Sequence, residues 1–354
     1  SSNQSFTRFL NQSNDPAMRD SEVLTLLDTE EGLFWVGMQT GLVIFKRSGR
    51  SLEQIGPNLI CKIVDKRTVR TIVKAKNGDI WLGTADGIFR LQKKSGKIEH
   101  FTVGNGLPKN NVNCIYEDRK ENIWFGFQSG GFAMYNPSNR HKLFKTFNVA
   151  KGLADENVNA ILDDEQGNLW ISTGNGLSKF NLRDNSFRNY NKEDGLAGNI
   201  FNVNSCYKSP TQLYFGGYNG LTSFRPSSVK DNLFAPPTFL TGLKVFNSHI
   251  GIEPKGLIEK EISLVKELQF SHSQNLFTIE FAALNYNQPK KNTYAYKLDG
   301  FDKAWNYSQN PAATYMNLPS GEYVLWLKGT NNDGVWGNAT AVAITVLPPY
   351  WKTV

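Results

Sequence analysis

Apolar and polar positions alternate along most of this chain in short runs, and Gly, Asn, Asp and Pro break the runs at regular intervals. That is the pattern of half-buried strands joined by tight turns. The clearest stretch is residues 77–88, NGDIWLGTADGI, and it recurs. GLFWVG (residues 32–37) precedes it, and NIWFGFQSGG around Trp124, NLWISTGNGL around Trp170 and QLYFGGYNGL around Tyr214 follow. The aromatic positions stand 46, 43, 46 and 44 residues apart, a period that marks repeated supersecondary units.

Each unit reads in one order. A run rich in β-branched residues (from Val23, Val69, Val112, Val158 and Val203) leads into a polar turn. The Trp strand follows, then a Gly-containing turn, a third strand opening at Gly41, Gly87, Gly131, Gly176 or Gly220, and a fourth alternating strand such as residues 97–101. Four short strands joined by tight turns make one propeller blade. Val23, Val69, Val112 and Val158 each stand 12 residues before their Trp, and Val203 stands 11 before Tyr214, so the fifth unit carries a slip. The Trp residues read as wedges between neighbouring blades, and the Gly residues as turn devices admitting positive φ. No GxG pair lies between a strand and a helical pattern, which removes a nucleotide loop. The fifth unit has three strands, while residues 6–10 form an alternating segment without a unit. Pairing the two would close a five-bladed ring; the alternative is a larger ring with blades before residue 1.

The period stops after Phe224. Residues 1–226 are therefore expected as the propeller repeats, 227–237 as a linker rich in Pro, Ser and charge, and 238–347 as a second all-β domain. Its strands are expected at 238–246, 267–270, 277–281, 293–298, 321–328 and 340–347, which fits an immunoglobulin-like or fibronectin-like β-sandwich. The segment LPSGEY, ending at Tyr323, has the form of a corner where a Tyr hydroxyl bonds back to the backbone.

Composition narrows the chemistry. A net charge of +7 over 354 residues is modest and its Lys and Arg are scattered, so no nucleic-acid partner is expected, though acidic ligands remain admissible. No apolar run is long enough to cross a bilayer. Cys61, Cys114 and Cys206 are too dispersed for a disulfide framework or a CxxC site. His100, His141, His249 and His272 fall in different units without metal-ligand spacing, and no nucleophile elbow or phosphate loop occurs. No metal, cofactor or catalytic residue is expected in this chain. Acid pairs such as Asp163-Asp164 sit in hairpin turns, where they usually stabilise the turn.

Binding is the more natural chemistry for such a scaffold, because strand order gathers the inner-strand starts and the second-to-third turns on one face. That face would carry Arg70, Asn113, Asn159 and Asn204 from the inner strands. The turns would add Gln39, Asp86, Gln128, Asn175, Tyr218 and Asn219. Amides pair well with sugar hydroxyls, and Tyr218 could stack on a sugar ring. The candidate ligand-binding residues are Arg70, Asp86, Asn113, Gln128, Asn159, Asn175, Asn204 and Tyr218.

The repeats resemble the two-component regulator propeller repeat, with Asp164, Gly167, Leu169, Trp170, Thr173, Gly176 and Leu177 matching its turn and LW-containing strand. The loops NGLPKNNV, KGLADENV and DGLAGN match its inter-blade segment. The second domain resembles the Y_Y_Y domain that follows such propellers, in NTYAYKLDGFDKAWNY, ATYMNLPSGEYVLWLKGTNNDGVWG and LPPYWKT. Tyr214 in place of Trp makes the fifth repeat the most divergent. The resemblance implies the periplasmic sensor region of a Bacteroidetes-type hybrid two-component system. Such a region binds a glycan-derived oligosaccharide and signals as a homodimer through the sandwich to a membrane-attached histidine kinase. Residues 348–354 would then lie beside the inner membrane. The competing readings are a propeller scaffold that binds protein and, more remotely, a five-bladed carbohydrate-active enzyme.

Overall fold

The computed structural model describes residues 21–48, 51–55, 59–139, 142–230 and 232–349. The segment 6–10, His141 and residues 350–354 lie outside the described residues. The chain divides into two units, Ser1–Val229 and Lys230–Val354.

In the first unit every repeat forms one antiparallel sheet whose strands follow chain order. The sheets are Val23–Asp28, Leu33–Met38, Gly41–Ser48 and Ser51–Gln54 (blade 1); Val69–Lys74, Ile80–Thr84, Gly87–Leu91 and Ile98–Phe101 (blade 2); and Val112–Glu117, Ile123–Phe127, Phe132–Tyr135 and Phe144–Phe147 (blade 3). Val158–Asp163, Asn168–Thr173, Gly176–Asn181 and Phe187–Tyr190 form blade 4, while Phe201–Lys208, Leu213–Gly217 and Gly220–Phe224 form a three-stranded blade 5. The first strands of successive sheets lie against one another, so they are the inner strands of a β-propeller. A short helix, Leu59–Ile63, joins blades 1 and 2 and buries Ile60. Among the described residues no strand pairing joins blade 5 to blade 1.

The Trp residues are the wedges their recurrence suggests. Trp35, Trp81, Trp124 and Trp170 are all at most 4% exposed. Each packs onto the following blade: Trp35 on Ile72 and Leu82, Trp81 on Ile115 and Phe125, Trp124 on Ile161 and Phe180, Trp170 on Leu213 and Phe215. Truncating one to Ala would cost on the order of 3–5 kcal/mol. In blades 2, 3 and 4 the turn into the third strand is closed by backbone: Gly87 has φ +104, and a Cβ there would lie 2.2 Å from the Phe101 carbonyl oxygen, with Gly131 and Gly176 alike. Only glycine fits that approach.

The inner strands share a second feature, a β-bulge near their start. Val69 pairs with Thr84 and Thr71 with Gly83, which leaves Arg70 as the extra residue. Asn113 and Asn159 hold the same place in blades 3 and 4. In blade 5 the interruption runs from Phe201 to Cys206. Phe201 holds the register, opposite Gly217 and 4% exposed, and Val203 lies inside the bulge at 45% exposure. The expected alignment of Val203 with Val158 is thus corrected: the slip comes from a longer bulge, which one-residue counting cannot detect.

The second unit is a sandwich of two sheets. One holds Thr238–Val245, Ser248–His249, Leu276–Ala283 and Ala312–Met316; the other holds Glu267–Phe270, Thr340–Val346, Gly321–Gly329, Tyr294–Asp299 and Asn306–Ser308. Their inner faces meet in one core built on Leu243, Phe270, Phe281, Leu298, Leu325 and Ile344. The Tyr323 hydroxyl donates to the Pro319 carbonyl at 3.0 Å, which is the anticipated corner. Fully buried Asn331 ties residues 232–234, expected as linker, to this unit: its amide donates to the carbonyls of Asn232 (2.6 Å) and Phe234 (2.8 Å).

Candidate functional site

The bulges decide what the inner-strand side chains do, because an extra residue turns its side chain out of the ladder. Asn113 Nδ2 donates to the Val158 carbonyl at 3.0 Å, and Asn159 Nδ2 to the Phe201 carbonyl at 2.8 Å. Each amide therefore clamps its blade to the next. Both residues are buried, 4% and 7% exposed, with these donors committed inside the fold. Asn204 sits at φ +54, a left-handed conformation that Asn tolerates better than most residues. Its Nδ2 reaches the carbonyls of Arg70 (3.1 Å) and Asn113 (2.9 Å), so blade 5 is tied to blades 2 and 3 near the axis.

Arg70 differs from its equivalents. Its side chain makes no hydrogen bond or ion pair among the described residues, and its buried Nη1 has no partner. Burial alone pulls its basicity below the ordinary arginine value.

The turn residues gather on the same face, since the inner-strand starts pair with the ends of the Trp strands. The turns are anchored to the loops entering each inner strand by Ala85 N to Thr68 O, Gln128 N to Asn111 O, Gly174 N to Asn157 O and Tyr218 N to Ile200 O. Asp86 is paired with Arg67 at 2.9 Å, and Gln128 accepts from the Asn111 amide. Asn175 and Asn204 are exposed, and Tyr218 is 77% exposed. The face thus presents an unpaired guanidinium near the axis, the exposed Asn175 amide and Tyr218 ring at the rim, and amides of Asn113, Asn159 and Asn204 whose donors clamp neighbouring blades.

The opposite face holds Asp163, expected only as a turn acid, and partners from other blades that the sequence pattern did not connect to it. Asp163, 3% exposed, accepts from the Tyr116 hydroxyl at 2.6 Å and the Arg119 backbone N–H at 3.3 Å, and forms an ion pair with Lys208. It joins blades 3, 4 and 5. Burial would raise its carboxyl, but the Lys208 and Tyr116 hydrogen bonds outweigh that and hold it below the usual carboxylate range. Within blade 2, Arg90 binds Asp79 at 2.7 Å and Glu99 at 3.2 Å, and it reaches blade 3 by donating from Nη1 to the Tyr135 hydroxyl at 3.1 Å. Only the contacts across blades reveal these clasps. A cleft of about 470 Å³ opens beside Asp163, lined by Lys208, Pro210, Gln212 and Arg225. Among the described residues no group of three or more His, Cys, Asp or Glu could hold a metal ion, and Cys61, Cys114 and Cys206 form no disulfide.

Comparison with known proteins adds family matches to this geometry. The two component regulator propeller family matches residues 106–129 and 152–175, and the Y_Y_Y domain matches residues 285–347. A protein of Formosa agariphila named histidine kinase P4 is 29% identical over 346 residues, covering 94% of this chain and 25% of the relative. Among solved structures, the extracellular domain assigned to a hybrid two component system of B. thetaiotaomicron matches with TM-score 0.56 and 24% identity. That match covers 92% of this chain and 50% of the other. A second such domain from B. thetaiotaomicron matches at TM-score 0.45 and 19% identity, over 92% of this chain and 44% of that one. The chain thus spans about a quarter of the curated relative and half of the first solved chain.

Proposed function

From a chain that carries two component regulator propeller repeats ahead of a Y_Y_Y domain, we propose the extracytoplasmic sensor region of a hybrid two-component system. The order of these two domains is the observation that carries the reading. The named relatives, a histidine kinase and extracellular domains of hybrid systems, agree with it. In this reading the region is periplasmic, binds a glycan-derived oligosaccharide at the bulge-side face of the propeller and performs no catalysis itself. Arg70, Asp86, Gln128, Asn175, Asn204 and Tyr218 supply the recognition. Asn113 and Asn159 keep the inner strands in place beneath them.

Signalling then passes through the sandwich, in a homodimer, to a kinase held at the membrane. Among the described residues no helix is long and apolar enough to cross a membrane. A ligand shifts such an equilibrium only by its preference for one of the two arrangements. The test is a full-length receptor in vesicles, assayed for autophosphorylation against a panel of oligosaccharides, with calorimetry on the same panel. The reading expects one class of glycan both to bind and to change phosphorylation. A glycan that binds tightly and leaves phosphorylation unchanged would refute it.

A further inference from the structure

We infer that Arg70 is an anion receptor near the propeller axis, holding the carboxylate or sulfate group of an acidic saccharide. The saccharide class rests on the function proposed above; the anion site rests on the geometry of Arg70 itself. At the bulged position blades 3 and 4 place Asn113 and Asn159, whose amides clamp the neighbouring blade. Blade 2 places an arginine there, and its guanidinium forms no such clamp and no ion pair among the described residues. Its backbone is nevertheless held, because its carbonyl accepts from Asn204. The guanidinium carried there keeps its donors unspent among the described residues.

A guanidinium with a buried, unpartnered nitrogen is unfavourable for the empty protein, since burying charge without a partner costs free energy. Four other arginines of the propeller are paired with carboxylates: Arg47 with Asp28, Arg67 with Asp86, Arg90 with Asp79, Arg119 with Glu165. Burial lowers Arg70 basicity, and among the described residues no carboxylate pairs with its guanidinium. A planar fork of N–H donors matches the two oxygens of a carboxylate or sulfate. Asn204 Oδ1 and the exposed Asn175 amide lie on the same face to meet the hydroxyls of the sugar that carries it.

The experiment titrates D-glucuronate, inorganic sulfate and D-glucose into the 354-residue chain, following backbone amide shifts by NMR. Glucuronate should bind measurably more tightly than glucose, and its affinity should fall as salt rises. Arg70→Asn, which installs the residue of blades 3 and 4, should fold and weaken glucuronate at least tenfold. Arg70→Lys keeps the charge without the fork and should weaken it severalfold, which provides a second variant. Sulfate binding with the same dependence on Arg70 would identify a sulfate ester as the group read. Equal affinity for glucuronate and glucose, binding unchanged in Arg70→Asn, or no binding of any probe would overturn the inference. The two proposals fail separately. A receptor that signals to a neutral glycan regardless of Arg70 removes this one, whereas Arg70-dependent glucuronate binding without any signal removes the sensor reading.

Discussion

The indole Nε1 of Trp124 donates to Asp118 Oδ2 at 2.8 Å, and Trp170 repeats the bond to Asp164 at 2.9 Å. In each case the carboxylate stands six residues before the Trp and also accepts backbone N–H groups of its own turn. Blade 2 has Ala75 at that position, and the buried Trp81 Nε1 has no partner. Replacing Trp by Phe should therefore cost more in blade 3 than in blade 2. The expected gap between Trp124→Phe and Trp81→Phe is about 1.5–3 kcal/mol, the worth of a charge-assisted hydrogen bond. Chemical denaturation of the two variants checks it; equal losses would show that the bond adds nothing to packing.

Asp163 sets an acid limit on the propeller. Its folded carboxyl is held below the ordinary value of 3.8, so its contribution to stability is complete above that value. That contribution is lost as the pH falls through the lower folded value. Asp163→Asn should be less stable than the parent at neutral pH, by about 3 kcal/mol, because Lys208 loses its partner. Thermal unfolding measured from pH 7 down to pH 2 should show the difference shrinking below about pH 4. A constant difference across that range would mean the carboxylate charge is not what joins these blades.

At Gly87 the prediction is steric. Gly87→Ala places a Cβ against the Phe101 carbonyl in a conformation of φ +104. A loss of about 3 kcal/mol is expected, and a melting temperature within a degree or two of the parent would contradict it. Gly96 is the control, since a Cβ there meets nothing within 4 Å although its φ of +65 still carries a local penalty.

Asn331 in the sandwich has its whole amide employed. Besides its two donor bonds, Oδ1 accepts from the backbone N–H groups of Asp333 and Val335, each at 2.9 Å. Asn331→Ala should remove about 1–3 kcal/mol by leaving part-buried backbone groups unpaired. It should also raise hydrogen exchange across residues 232–236 and 333–336. Exchange unchanged in the first of these segments would show that it is held by other contacts.

The propeller was readable from sequence because Trp, Gly and the strand period repeat together, and each has a local cause. What escaped reading was non-local. The placement of Phe201 depends on a bulge whose extra residues look like ordinary strand, and Asp163 reads as a turn acid until Tyr116 and Lys208 arrive from other blades. In the sandwich, Ala312–Met316 and Asn306–Ser308 were missed because a short strand beside Pro311 carries too little alternation to stand out. Among the candidate site residues the strand order brought the inner-strand starts and the second-to-third turns together, but the pattern could not separate clamps from free groups. Asn113, Asn204 and Arg70 look equally polar in the sequence, and only the bulge geometry distinguishes a spent amide from an unpaired guanidinium.

The forward packing of each Trp onto the blade that follows gives the propeller a direction in time as well as in space. A ribosome releases the chain from its N-terminus, so every newly completed blade shows an open indole face until about 45 further residues have emerged. At roughly 5–20 residues per second that interval lasts several seconds. The sticky surface on the nascent chain is therefore always a single blade wide, and it moves toward the C-terminus as synthesis proceeds.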